Sequence, residues 1–170
     1  MATHTPTACC EGVAAHVTWA DAPQAPSGPL SHKLVGAVVE ARTYSANEAA
    51  PAIGRTLDHI AKSLVFCTDD GEFVFVIVSG ASWVDERKVS AQLGKAIHRT
   101  DTQLVRGKTG CSIGRVPPSG HKTPPVVMID AALQNVLPIW AAGGTPNAAF
   151  ASEVSELVSL TGASVFEVSL

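Results

Sequence analysis

The sequence predicts an α+β fold built on a mixed β-sheet. Two observations carry that expectation. The apolar, β-rich runs KSLVFCT and EFVFVIVS flank Asp69-Asp70-Gly71, which reads as a β-hairpin. Helix and strand signals then follow one another without the regular βαβ alternation of a doubly wound sheet. There is no internal repeat.

Residues 1–32 are rich in Ala, Pro, Thr, Ser and Gly and end in APQAPSGPLS, so they read as a loosely ordered tail ahead of one domain, residues 33–170. LVGAVVE is a short strand candidate. Ser45 with Glu48 three residues on forms a capping box, which starts a helix despite Pro51. The hairpin follows, with Cys67 in its apolar run as a small buried hydrophobe. Asp85 caps a helix that runs to Leu93 and stops at Gly94. A second short helix starts at Thr100 or Asp101. PPVVMIDA reads as a buried strand, and PIWAAGG as another that ends at a glycine pair. Residues 152–160 suit an amphipathic helix stopped near Gly162, and SVFEVSL an alternating last strand.

With 170 residues, 46% hydrophobic and 16% charged, the chain suits one compact domain and not a disordered one. The net charge of -3 carries no whole-protein sign of a nucleic-acid partner, but it hides an asymmetry. Residues 87–122 hold eight Lys or Arg and one acid, Asp101, whereas residues 123–170 hold four acids and no Lys or Arg. Such a local excess is either a footprint for phosphates or a set of ordinary solvated faces. The four cysteines include no CxxC and an adjacent Cys9–Cys10 pair, so neither a metal site nor a disulfide framework is expected, and a reducing, cytosolic setting is. No apolar run nears the roughly 20 residues of a membrane span. Residues 1–32 lack Lys and Arg, which excludes a secretory n-region and an Arg-rich transit peptide.

HExxH, Walker and GxGxxG patterns are all missing. His98 and His121 are the histidines after residue 60, and neither has a nucleophile partner nearby in sequence. Lys62 and the loop GRVPPSGHK, residues 114–122, remain. Lys62 opens an apolar strand, where a cation either guards an edge or orients an ester or phosphate. In the loop, glycine frees the backbone and proline holds it. The result is either a rigid turn or a set of amides aimed at an oxygen.

IAKSLVF, the hairpin through VSG, the T-G-x-x-x-G-x-x-P-P-x-G-H pattern of residues 109–121, PVVMID, and IWAAGGTPN followed by LVSLTGA occur in one order. That order resembles the YbaK/EbsC family, the prolyl-tRNA-synthetase-associated editing domain, over residues 34–170. The resemblance implies a mixed, partly barrel-like sheet flanked by helices. It also implies hydrolysis of the ester that joins a wrong amino acid to a tRNA, acting in trans, with no cofactor or metal and no membrane. The implied substrate is tRNA-Pro carrying a small amino acid, alanine or cysteine. The implied partners are the tRNA acceptor end and a synthetase or synthetase complex. Lys62 matches the family lysine that fixes the 3′-terminal nucleotide. Gly114 and Pro118 match the ends of its G-x-x-x-P signature, whose loop holds the aminoacyl carbonyl while the substrate's own hydroxyl or thiol activates water. The same motifs place Gly120, His121, Asp130, Ala142, Gly143 and Gly144 beside Pro118 at the substrate. The basic stretch then supplies Arg87, Lys88, Arg106, Lys108, Arg115 and Lys122 to the acceptor-stem phosphates. Arg115 stands where many relatives have a second glycine. Ala142 stands where relatives that remove cysteine carry a hydroxyl residue, which leaves alanine or another small residue open. The rival expectation is a tRNA- or synthetase-binding module that keeps the fold without hydrolysis.

Overall fold

The computed structural model describes residues 16–18, 35–38, 45–109, 116–119, 121, 124–143 and 148–170. The elements in order are β1 (His16–Thr18), β2 (Val35–Val38), α1 (Ala46–Ile53), β3 (Ile60–Thr68), β4 (Phe73–Ser79), α2 (Glu86–Leu93), β5 (Ile97–Arg99), α3 (Thr102–Thr109), β6 (Val126–Asp130), β7 (Ile139–Ala142), β8 (Ala148–Ser152), α4 (Val154–Thr161) and β9 (Ser164–Phe166). One nine-stranded sheet runs β1-β2-β8-β7-β3-β4-β6-β9, with β5 paired to β3 off that path. β3–β4 and β7–β8 are antiparallel, while β3–β7, β4–β6 and β6–β9 are parallel, so the sheet is mixed as expected.

Both faces of the central strands are buried, which follows from their continuous apolar runs. Along β4, Phe75 and Ile77 enter one core, and Val74, Val76 and Val78 enter the other. The first core takes Val105 from α3, Val116 from the loop before β6, and Val154 and Leu157 from α4. The second takes Val89 from α2, Ile97 from β5 and Val168 from the C-terminal segment.

The local signals operate as their chemistry dictates. Ser45 and Glu48 close the capping box of α1, and Pro51 sits inside that helix. Asp85 accepts from the N–H groups of Arg87 and Lys88, and Gly94 ends α2 at φ 70°. The hairpin turns at Gly71, φ 81°.

Four expectations change. Residues 152 and 153 are not helical: Ser152 ends β8, and the helix starts at Val154 with Glu153 and Glu156 as its capping box. The Ala-rich run AAFAS lacks β-branched residues, so its pairing partners, β2 and β7, set its conformation. Cys67 is half-buried, because it lies near the end of β3 across from His98 and Phe73. The last strand covers only Ser164–Phe166, with Ser169 bridging separately to Val84. In the stretch read as a tail, His16–Thr18 adds an edge strand to β2. Among the described residues no helix is long and apolar enough to cross a membrane.

Candidate active site

Lys62 is the third residue of β3 and stands directly opposite Val78 of β4. Strand alternation puts it on the face of Leu64 and Phe66, the second core's face, while Ala61 enters the first core. The ammonium sits where β4 gives way to Gly80. Nζ donates to the Gly80 carbonyl at 3.2 Å and lies 5.0 Å from the centroid of the Trp83 ring. Burial pushes the amine below the ordinary lysine value. Among the described residues no carboxylate lies within ion-pair distance of it. A partly desolvated cation fixed by a carbonyl and an aromatic ring, with no carboxylate partner among the described residues, is ready to take an anion.

Gly80 is built into this arrangement. Its N–H donates to the Ile60 carbonyl at 2.6 Å, which seals the strand pair beyond Ser79. A Cβ there would meet Leu57 O at 2.6 Å, Leu57 Cδ1 at 2.9 Å and Ala46 Cβ at 3.1 Å, so only glycine fits. Gly80 is legible in the sequence only as the end of the VSG run, and Trp83 not at all. Counting back along the hairpin from Asp69-Asp70-Gly71 pairs position 62 with 78, and that register was the available signal.

The parallel pairing of Ala61 with Ala141 brings Ala142 beside Lys62 on the same face, and Ala142 pairs in turn with Ala149 of β8. Both alanines are half-buried and Gly143 is buried. Next to the ammonium, β7 and β8 therefore present methyl groups and a glycine.

Asp130 ends β6, level with Val78, and is 1% exposed. Its Oδ1 accepts from the Val168 N–H at 3.1 Å, which ties the C-terminal segment to the sheet. Its Oδ2 has no hydrogen-bond partner among the described residues.

Of the loop, Val116, Pro117, Pro118 and Ser119 are buried, with Val116 in the first core. The His121 ring meets Phe75 edge-on, with centroids 4.8 Å apart, and Nε2 donates to the Pro117 carbonyl at 2.8 Å. That bond places the proton on Nε2, and burial pushes the imidazole below the usual histidine range. Lys62, Ala142 and Gly143 thus come together where β3 and β7 pair, and His121 packs on Phe75 of the first core. Gly114, Arg115, Gly120, Lys122 and Gly144 lie outside the described residues.

The basic stretch is divided by folding. Lys95 pairs with Asp70 and Glu72 at 2.9 Å each, and Arg99 with Glu86 at 2.9 Å. Lys88 donates to the Ser169 carbonyl at 2.7 Å. Arg87 on α2 and Arg106 on α3 are exposed, and neither forms an ion pair among the described residues. Lys108 falls within α3.

The aminoacyl-tRNA editing domain profile matches residues 40–160. An uncharacterized protein of Bacillus subtilis (strain 168), YwhH, is 31% identical over 122 residues, 71% of this chain and 78% of that protein. Among solved structures, a candidate trans-editing enzyme for prolyl tRNA synthetase is similar, with 38% identity and a TM-score of 0.77 over 82% of this chain and 88% of that one. A scaffold protein from computational epitope backbone grafting shares 36% identity and a TM-score of 0.76, over 82% of this chain and 89% of its own.

Proposed function

The chain belongs to the YbaK-type aminoacyl-tRNA editing domain family, and from that premise we propose that it is a trans-acting deacylase of tRNA-Pro mischarged with a small amino acid, alanine or cysteine. The carrying observation is the Lys62 ammonium, held by the Gly80 carbonyl and the Trp83 ring with no carboxylate partner among the described residues. It receives a phosphate of the 3′-terminal nucleotide. The Ala142–Gly143 end of β7 lies beside it and takes a methyl- or thiol-sized side chain, and Gly144 is assigned to the same substrate site by its motif. Gly114, with Pro118 and Gly120 holding its loop, offers N–H groups to the ester carbonyl oxygen.

Water attacks the carbonyl carbon, the bond to the ribose oxygen breaks, and that oxygen leaves with a proton as the free hydroxyl. The products are the amino acid and uncharged tRNA. Binding and orientation supply the acceleration, since no side chain at Lys62 forms a covalent intermediate. The partners are the tRNA acceptor end and, for rapid recapture of released tRNA, a synthetase or synthetase complex. The working place is the cytoplasm, where tRNA is charged. The editing unit spans residues 33–170, and residues 1–32 lead into it.

Deacylation of tRNA-Pro charged with alanine, cysteine, serine or proline tests the reading. Alanine or cysteine should be released and proline spared. A chain that binds tRNA-Pro and releases none of the four would be the binding module instead.

A further inference from the structure

We propose that Trp83 is a stacking platform for the terminal adenine of the tRNA, a base subsite next to the phosphate-binding Lys62. The proposal rests on the deacylase reading for the identity of the nucleic acid, and on the following geometry for the subsite itself.

Trp83 is 71% exposed, well above Leu104 at 45% and Leu137 at 57%. A single exposed apolar side chain is ordinary, so exposure alone decides nothing. The backbone beneath it does. Gly80 N donates to Ile60 O, Ala81 N to Ser79 Oγ, Ser82 N to Ser79 O, and Asp85 N to Val168 O. The Trp83 carbonyl accepts from Leu170 N at 2.9 Å, and Val84 bridges to Ser169. Residues 80–85 are therefore bonded at almost every position, and the indole is held out from a rigid base.

The Lys62 ammonium lies 5.0 Å from the ring centroid. A flat π-surface and a cation at that separation match the two chemical parts of a nucleotide, an aromatic heterocycle and a phosphate. Base–aromatic stacking needs no sequence readout, which suits the 3′ end that all tRNAs share. Arg87, at the start of α2 just beyond the platform, extends the positive surface for the preceding phosphate.

Binding of the 5′-phosphorylated trinucleotide CCA, followed by titration calorimetry, and steady-state deacylation give the test. Trp83→Ala should weaken CCA binding by about five- to a hundredfold, the range expected of one stacked base. It should raise KM with little change in kcat. Trp83→Phe should recover most of the affinity, and Trp83→Leu, which keeps bulk without π-character, should not. Full-length tRNA lacking its terminal adenosine should bind the parent more weakly than intact tRNA, yet bind Trp83→Ala no worse than intact tRNA does. Parent-like CCA binding by Trp83→Ala, or an equal penalty for the missing adenosine in both proteins, overturns the platform. If the parent hydrolyses mischarged tRNA while Trp83→Ala keeps the same KM, the platform falls and the deacylase stands. If the parent hydrolyses none but shows the Trp83–adenosine coupling, the deacylase falls and the platform stands.

Discussion

Lys62 combines the features of an anion anchor in one side chain: partial burial, a fixed position and no carboxylate partner among the described residues. Lys62→Ala should lower deacylation by roughly ten- to a hundredfold, the cost of one charge-assisted hydrogen bond made in the transition state. Its thermal midpoint should stay near the parent's, because the ammonium supports no other element. Parent-like hydrolysis of every mischarged tRNA would remove Lys62 from the reaction. His121 is the contrasting residue, since its imidazole is kept neutral by burial and gives its Nε2 proton to Pro117. The unfolded chain takes up a proton near the ordinary histidine value of 6.5 and the folded chain does not. Stability therefore falls as pH drops below that value, and stops falling once the folded imidazole protonates. His121→Gln keeps a donor without a titrating group. The parent's advantage in thermal midpoint should accordingly shrink between about pH 7.5 and about pH 5.5. An advantage independent of pH would mean that the folded imidazole protonates as readily as the unfolded one.

The hairpin is the element on which the site depends. Gly80→Ala would push a Cβ against the Leu57 carbonyl at 2.6 Å, and backbone cannot swing away as a side-chain tip does. It should cost about 1–3 kcal/mol of stability, the usual range for overpacking, and also reduce activity by moving the carbonyl that holds Lys62. An unchanged melt and an unchanged rate would show that the 57–59 turn yields freely. At the far edge, β1 is a three-residue strand whose one sheet partner among the described residues is β2, so deleting residues 1–32 should move the thermal midpoint by a few degrees at most. A large fall would show that the leader packs on the domain. These elements differed in legibility for physical reasons. Asp85, Gly94, Ser45 and the Asp-Asp-Gly turn act through backbone chemistry within a few residues, so their sequence signals translate directly. β5 is three residues with polar His98 and Arg99, and β8 is mostly alanine, so both exist through pairing that no local pattern encodes. Lys62 was legible as part of a motif. The approach of Gly80 and Trp83 to it was not, because that approach is a consequence of strand register.

Across the whole molecule, charge that is clustered in sequence is distributed in space. Of the eight cations in residues 87–122, Lys95 and Arg99 are bound to acids from β3–β4 and α2. The exposed Arg87 and Arg106 sit on helices that cover opposite faces, since Val89 of α2 enters the second core and Val105 of α3 the first. A linear count of charges could not show this division, which turns on how α2 and α3 pack. It does yield a directional expectation. Lys62 and Trp83 lie on the face that α2 covers, so the acceptor end should run past Arg87 before it reaches them. Arg87→Glu should weaken tRNA binding and lower the slope of log affinity against log salt by about 0.7–0.9, the signature of one lost phosphate contact. Arg106→Glu should change both much less. Titrations at several salt concentrations on the two variants decide the direction of approach. The reverse ranking, with Arg106 the sensitive site, would bring the tRNA in over α3.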